Sequence, residues 1–310
     1  MLRLGGPVFI KSEDPADLVR LHQEMGVSAA FVPPFRDTAR RHDAIAALAQ
    51  ADIVIAEVGA YGLNILDTNE SIRERNIGTV KERLRFADEI GALCCVIQGG
   101  TVEAGSWGAA SGDNFSKEAF DGTVAAIHAV LDDVKPRTAK LVIETSSHRL
   151  PDGPEEYLEL LKAVGRPAFG VHFDPANLAS SPRRCLRSGD FMRHCFALVG
   201  PHIICAHAKD VILSQAASVH IDECPAGQGQ IDYHTYLQEL ARCKQTPDVP
   251  VKGVSKTLIM DLQAFYAKQS PPLMLEHLAN ASESKRARDF LFRVAKDVSL
   301  QFMHSGLAKH

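Results

Sequence analysis

The chain has 310 residues, 45% hydrophobic and 23% charged, so it can bury a large core as one barrel or as two ordinary domains. Its formal net charge of -4 lacks the basic surplus that contact with a phosphate backbone normally requires, so a nucleic-acid partner is not expected. It has no run of 18 apolar residues, so no transmembrane helix is expected.

The N-terminal residues and the cysteines bear on the cellular compartment. Residues 1–15 contain too short an apolar run, and too early an acidic cluster, for a secretory signal. The seven cysteines are odd in number and lack paired zinc spacing. We therefore expect reduced core cysteines in a cytoplasmic protein, with a catalytic thiol as the alternative.

Eight short apolar runs alternate with amphipathic stretches along the chain. The runs are rich in Val, Ile, Leu, Phe or Cys, and none alternates regularly with polar residues, which is typical of strands buried on both faces. The predicted strands are 7–10, 28–33, 53–58, 93–98, 140–145, 169–174, 203–208 and 272–277.

The intervening stretches carry signals for the ends of helices. Ser71 with Glu74 predicts a capping box that opens a helix over 72–90. Gly165 is expected to end a helix, and Asp232 to cap the start of another.

Eight strand–helix pairs predict a closed parallel (β/α)8 (TIM) barrel that forms a single domain over residues 1–310. A doubly wound open sheet is the alternative. Two segments exceed the usual length of a connection: 211–231 after the seventh strand, and 244–271 before the eighth. We predict that 244–271 is an insertion containing an extra helix.

The last four predicted strands each end in a residue that can bind a metal. These residues are Glu144, Asp174, His207 and Glu276. Side chains at the carboxyl ends of barrel strands converge on one mouth, where three carboxylates would repel one another without a cation. A divalent metal site is therefore predicted, although each residue alone is equally typical of a solvated strand end.

The segments around these residues resemble the xylose isomerase-like barrel superfamily, especially its sugar isomerase/epimerase branch. The matching pieces occur in the order VIET, HFDPANL, AHAKD, AGQGQID and LMLEH, within residues 50–300. The resemblance implies that Glu144, Asp174, His207 and Glu276 hold one metal. It also implies that the two glutamates transfer protons.

The ligand types indicate both the metal and the reaction. Three carboxylates with one imidazole favour Mn²⁺, with Mg²⁺, Co²⁺ or Zn²⁺ as alternatives. A metal that chelates two substrate oxygens stabilises the enediolate formed when a proton beside a carbonyl is removed. Glu144 and Glu276, on different strands, are the predicted acid/base pair.

Departures from two branches of the superfamily limit the predicted activity. Ketose 3-epimerases carry a histidine where this chain has Asn177, and an arginine where it has Leu213. Barrel nucleases resembling endonuclease IV add histidines where this chain has Gln98 and Asn177. Segment 211–231 contains no Lys or Arg for a substrate phosphate.

We therefore expect an isomerase or epimerase of an unphosphorylated sugar or keto-sugar. A lyase, such as an inosose dehydratase, is the alternative, and a non-catalytic binding barrel is a third hypothesis. The expected partner is a small carbohydrate or polyol, and homo-oligomer formation is left open.

Further polar or aromatic residues at or beyond the strand ends are candidates for binding substrate hydroxyls. They are Glu57, Gln98, Trp107, His148, His172, Asn177 and Lys209. His172 is equally well explained as a buried histidine, and Lys209 as a residue that orients His207. Trp107, in a Gly-rich loop, is expected either to close over a sugar face or to anchor its loop. The GQGQ segment at 227–230 is interpreted as a turn and not as a phosphate loop.

Overall fold

Eight parallel strands close into a barrel in the computed structural model, which describes residues 2–12, 14–243, 270–276 and 278–305. The strands are β1 (Leu2–Gly5), β2 (Ala29–Phe31), β3 (Val54–Gly59), β4 (Cys94–Gln98), β5 (Lys140–Glu144), β6 (Phe169–Phe173), β7 (Ile203–Leu213), β8 (Ile221–Pro225), β9 (Leu273–Leu275) and β10 (Phe302–Met303). Strands β1 to β7 pair in chain order, and β9 closes the ring between β7 and β1. The predicted TIM barrel is confirmed.

Helices surround this barrel. They are α1 (Pro15–Met25), α2 (Thr38–Gln50), α3 (Glu70–Glu89), α4 (Lys117–Val134), α5 (Pro154–Val164), α6 (Pro175–Leu178), α7 (Pro182–Leu186), α8 (Ser188–Val199), α9 (Tyr233–Arg242) and α10 (Ala281–Asp297). Short 3₁₀ helices cover Gly112–Phe115 and Gly200–His202. None of the helices in the described residues is long and apolar enough to cross a membrane.

The apolar core has two parts. The larger part packs the helices against the outside of the strands. The smaller part consists mostly of short side chains contributed by six strands, namely Ala29, Ala56, Cys94, Val96, Val142, Cys205 and Met274. Small side chains suit the narrow interior of an eight-stranded barrel.

The prediction for the first strand was wrong: the strand is Leu2–Gly5 and not 7–10. Leu2 and Leu4 are fully buried, whereas Phe9 is 38% exposed. The charged Arg3 concealed this strand in the sequence. Its guanidinium is nevertheless buried, because it donates to Asp52 Oδ1 at 2.8 Å and to the Asp52 carbonyl at 2.7 Å.

The helix-end signals had mixed outcomes. Helix α3 is capped by Asn69, whose side chain accepts from the Ile72 amide, so the capping box predicted at Ser71 was wrong. Asn69 precedes Ser71 by two residues and provides the same kind of acceptor. Gly165, at φ 55°, ends α5, and Asp232 caps α9 as predicted.

The segment predicted as a long connection after the seventh strand contains a β-hairpin. Strand β7 continues past 208 to Leu213 and pairs antiparallel with β8. The GQGQ segment then turns back against Asp210, whose carboxylate accepts hydrogen bonds from four backbone amides. The donors are Val211, Gly227, Gly229 and Ile231. This arrangement supports the interpretation of GQGQ as a turn.

The predicted insertion at 244–271 falls almost entirely outside the described residues, so its extra helix stays a prediction.

Replacing Asp210 with alanine should leave four backbone amides without their acceptor, two of them in buried hydrogen bonds, and lower the free energy of unfolding by about 3 kcal/mol. Urea denaturation measures this change. Asp222→Ala, at an exposed position on the same hairpin, should change the stability little. Equal stability of the two variants would contradict the role given to Asp210.

Candidate metal centre

Four strand ends bring the predicted metal ligands together at one mouth of the barrel. Glu144 is the last residue of β5, Asp174 follows β6, His207 lies within β7 and Glu276 follows β9. One donor atom from each of the four lies within 4.8 Å of the others. The parallel barrel thus joins residues that are up to 132 positions apart in sequence, from 144 to 276.

The spacing of these atoms suits a divalent cation. His207 Nδ1 lies 2.9 Å from Glu276 Oε2, 3.2 Å from Glu144 Oε1 and 3.6 Å from Asp174 Oδ2. Ligands that meet at right angles around a metal at about 2.1 Å are about 3 Å apart. The residues therefore fit a metal held by three carboxylates and one imidazole.

Lys209 supplies a positive charge at the same carboxylates. Its Nζ lies 2.6 Å from Asp174 Oδ2, 3.1 Å from Glu276 Oε2 and 3.4 Å from Glu144 Oε1. Burial alone would lower the pKa of Lys209, but these carboxylates outweigh it and raise the pKa. Lys209 is therefore an ammonium that partly neutralises the cluster.

The same contacts keep two of the carboxylates, those of Glu276 and Asp174, ionised. Burial alone would raise the pKa of Glu276, but the charges of His207 and Lys209 lower it to about 2. Burial likewise opposes ionisation of Asp174. The positive charges of Lys209 and His207 outweigh this effect, so the pKa of Asp174 falls well below the usual range. Both side chains are anionic at neutral pH, as metal ligands or bases must be.

Hydrogen bonds hold the ligand oxygens in place. Asn177 Nδ2 donates to Asp174 Oδ2 at 2.9 Å and to Glu144 Oε1 at 3.2 Å. The other oxygen of Asp174 caps α6 by accepting from the Ala176 amide. Asp174 therefore directs one oxygen to the helix and the other to the cluster.

Glu57 and His172 lie beneath the cluster and do not line the cavity described next. Glu57 is 1% exposed. Its Oε2 accepts from His172 Nε2 at 2.8 Å, and its Oε1 lies 3.6 Å from His207 Nε2. This geometry turns His207 Nδ1 toward the carboxylates, so it favours a positioning role for Glu57 over the predicted substrate contact.

A cavity of about 500 Å³ opens above the cluster, a volume typical of small-molecule sites. Both Glu144 and Glu276 line it. Five of the predicted substrate-binding residues line it too, namely Gln98, Trp107, His148, Asn177 and Lys209. Substrate contact by these five stays a prediction.

Trp107 stands at the mouth of this cavity with 57% of its surface exposed. Its loop is anchored through the backbone, since Arg149 donates to the Trp107 carbonyl and His148 Nε2 lies 3.1 Å from the Gly108 carbonyl. The indole is not the group that packs the loop down. Of the two roles expected for Trp107, its position favours closing over a sugar face rather than anchoring the loop, and this role stays a prediction.

Sequence reasoning missed two charged residues that line the cavity, Arg149 and Glu223. Arg149 follows β5 by five residues, so a wider search beyond the strand end could have found it. Glu223 reaches the cavity because β8 pairs with β7, and its Oε2 lies 3.4 Å from Lys209 Nζ. No sequence signal for that hairpin was recognised.

The alternative of a catalytic cysteine thiol is not supported by the geometry. The cavity lining contains no cysteine among the described residues. Cys205 lies below it, 3.5 Å from Glu57 Oε2, and burial raises the pKa of its thiol well above the usual value. A buried thiol of this kind is a poor nucleophile.

Comparisons with known proteins agree with the fold. The family model described as "Xylose isomerase-like TIM barrel" matches residues 19–247. No curated protein sequence matches the chain.

Three solved structures share the architecture at low sequence identity. Endonuclease IV from Thermus thermophilus is 14% identical, with a TM-score of 0.65 over 95% of this chain and 99% of that one. The 3-keto-D-glucoside 4-epimerase of E. coli is 13% identical, with a TM-score of 0.64 over 96% and 100%. A probable 3-DHS dehydratase from Bacillus anthracis is 16% identical, with a TM-score of 0.64 over 94% and 98%.

Metal binding should release protons and weaken as the pH falls. Burial would lower the pKa of His207, but Glu276, Asp174 and Glu144 raise it well above the ordinary value, so without metal the imidazole carries a second proton at neutral pH. A metal requires the neutral imidazole, so about one proton should be released and the affinity should fall about tenfold per pH unit below neutrality. Calorimetric titration with Mn²⁺ in buffers of different ionisation enthalpy measures both effects. Affinity independent of pH would contradict this prediction.

Glu57→Gln should weaken Mn²⁺ binding by about tenfold to a hundredfold, because it removes the charge that orients His207 while all four metal ligands stay unchanged. Equilibrium dialysis measures the affinity. The control is Glu155→Gln, which alters a surface glutamate paired with His194 away from the cluster. Unchanged affinity in Glu57→Gln would show that His207 needs no such support.

Proposed function

This chain belongs to the xylose isomerase-like TIM barrel family, and we propose that it is a metal-dependent enzyme that isomerises or epimerises a small unphosphorylated sugar or keto-sugar. One observation carries the proposal: four donor atoms lie within 4.8 Å of one another next to a cavity of about 500 Å³. Two of the four belong to glutamates from different strands, which also line the cavity.

Glu144, Asp174, His207 and Glu276 would hold the metal. Oxygen-rich sites with one imidazole favour Mn²⁺, and Mg²⁺ is the next choice. When bound, a divalent cation supplies the positive charge that stabilises an enediolate.

The two glutamates would transfer the protons. Glu144 approaches the cavity from the end of β5 and Glu276 from beyond β9, so they can contact a substrate carbon from different directions. One takes the proton from the carbon beside the carbonyl. The other, protonated from solvent, delivers its proton to the neighbouring carbon or to the opposite face, and the first glutamate then loses its proton to solvent. Asn177 and Lys209 orient the Glu144 oxygen, and His207 with Lys209 keeps Glu276 ionised.

The residues around the hairpin support a substrate without phosphate. Segment 211–231 contains no Lys or Arg. Barrel enzymes often bind a substrate phosphate in the loops after strands seven and eight. The 3-keto-D-glucoside 4-epimerase, whose name describes an unphosphorylated keto-sugar, provides a precedent on the same fold.

A lyase is the second candidate, and the contacts of Lys209 favour it. The Lys209 ammonium lines the cavity and touches both glutamates, so it can hold a departing β-hydroxyl by a hydrogen bond while the glutamate that removed the first proton returns that proton to the leaving oxygen as water. A probable 3-DHS dehydratase shares the fold.

We propose a cytoplasmic location, because the seven cysteines are free thiols, six of them buried. A nucleic-acid partner is not part of the proposal, since the chain has no basic surplus.

The function can be tested by incubating the Mn²⁺-loaded protein with keto-sugars and inososes in deuterated water. An isomerase or epimerase should incorporate solvent deuterium with the substrate mass otherwise retained, whereas a lyase should release water. Glu144→Gln and Glu276→Gln should each lower the exchange rate at least about a hundredfold. Glu118→Gln, an exposed position on α4, is the control. Exchange that survives both a chelator and the two site variants would overturn the proposal.

A further inference from the structure

Arg149 is a buried cation in the wall of the cavity. Its side chain lines the cavity beside Trp107 and His148, yet only 5% of the residue is exposed. The guanidinium lies over the Trp107 ring, 5.7 Å from its centroid.

In the described part of the chain, every hydrogen bond that Arg149 donates comes from one nitrogen, Nη1. Nη1 donates to the Gly99 carbonyl at 3.1 Å and to the Trp107 carbonyl at 3.0 Å. Within the described residues, Nε is buried and has no acceptor, and Nη2 has none either. The guanidinium is therefore fixed through one nitrogen, while the edge formed by Nε and Nη2 keeps unused donors.

Two glycines leave room for the guanidinium. A Cβ on Gly108 would lie 3.2 Å from Arg149 Nη1, and a Cβ on Gly99 would lie 3.4 Å from Arg149 Cβ and 2.0 Å from the Leu150 carbonyl oxygen. A side chain at Gly108 would crowd the guanidinium, and one at Gly99 would clash with the backbone next to Arg149. The backbone thus forms a cradle that holds this arginine in a defined orientation.

Arg149 lacks a counter-ion in the described part of the chain. None of the salt bridges there includes it, although the nearby cluster contains several carboxylates that Lys209 contacts instead. Burial lowers the pKa of Arg149, and Glu144 acts on it only through space. Burying an unpaired charge is costly, so arginines in such positions are usually paired.

We propose that Arg149 binds a carboxylate of the substrate, so that the natural substrate is a polyhydroxy or keto acid and not a neutral sugar. This inference rests on the proposed function, which places the substrate in the cavity. An arginine edge with two unused donors matches a planar carboxylate, which accepts both hydrogen bonds in parallel. Gln98 also lines the cavity, and its buried Oε1 has no hydrogen-bond donor among the described residues, so a second polar side chain beside the cavity has unused hydrogen-bonding capacity.

The surroundings favour a carboxylate over a phosphate. A phosphate presents three oxygens and up to two charges, whereas Arg149 offers a single edge with two donor nitrogens. Lys209, the other cation that lines the cavity among the described residues, is already in contact with four carboxylates. One planar carboxylate with a single negative charge could therefore accept hydrogen bonds from the donors of Arg149 that the described residues do not use.

The test measures the affinities of D-gluconate and D-sorbitol by calorimetric titration of the Mn²⁺-loaded and the metal-free protein. The two compounds differ at one end, where D-gluconate has a carboxylate and D-sorbitol has a hydroxymethyl group. The wild type should bind D-gluconate at least about tenfold more tightly than D-sorbitol, and Arg149→Gln should bring the ratio close to one. Arg149→Lys, which keeps the charge but loses the paired donors, should give an intermediate ratio. D-sorbitol 6-phosphate serves as the phosphate probe.

Arg184→Gln is the matched control. Arg184 also donates through Nη1 to two carbonyls, those of Asp152 and Leu178, and also lies over an aromatic ring, that of Phe191 at 4.8 Å. It does not line the cavity, so its replacement should leave the gluconate preference unchanged.

Three results would overturn the inference. Equal affinity of the wild type for D-gluconate and D-sorbitol would do so even if every Arg149 variant failed to fold. A preference that persists in Arg149→Gln would show that the metal or another residue binds the carboxylate. Tighter binding of D-sorbitol 6-phosphate than of D-gluconate would assign Arg149 to a phosphate. Calorimetry needs no turnover, so these results are independent of whether deuterium exchange supports the proposed function.

Discussion

The repulsion among three carboxylates at one end of the barrel is the constraint on which the site depends. Glu144, Asp174 and Glu276 approach the same imidazole nitrogen of His207, and ionised carboxylates at such distances are stable only beside positive charge. Lys209 supplies part of that charge. A divalent cation held by the same oxygens would supply more, and would leave Lys209 available to orient or protonate a substrate oxygen.

The surrounding structure keeps this cluster in one arrangement. Asn177 bridges two ligand oxygens from above, and Glu57 supports His207 from below. Asp174 is held by its own helix cap. Because each ligand is restrained by a neighbour that is not a ligand, the donor atoms are preorganised, and little conformational entropy remains to be lost when a cation binds.

The cavity differs in charge from one side to the other. Its floor is a cluster of carboxylates already paired with Lys209, and its wall carries Arg149, which has no paired carboxylate among the described residues. A substrate with hydroxyl and carbonyl oxygens at one end and a carboxylate at the other would match both sides. Trp107 is exposed at the mouth, and the Arg149 guanidinium lies over its ring. The indole could therefore cover a sugar face while the adjacent arginine binds the charged group of the same substrate.

The sequence alone indicated the barrel and the four converging residues, because buried parallel strands are continuous apolar runs and the chemistry of a barrel lies at their carboxyl ends. It misplaced the first strand, since the charge of Arg3 is compensated by Asp52, 49 positions away. Tertiary structure alone decided that Glu57 and His172 lie beneath the site, that the hairpin brings Glu223 to the cavity, and that Arg149 keeps donors without an acceptor among the described residues. These outcomes depend on strand register and on contacts between distant segments, and the pattern of one chain does not encode them locally.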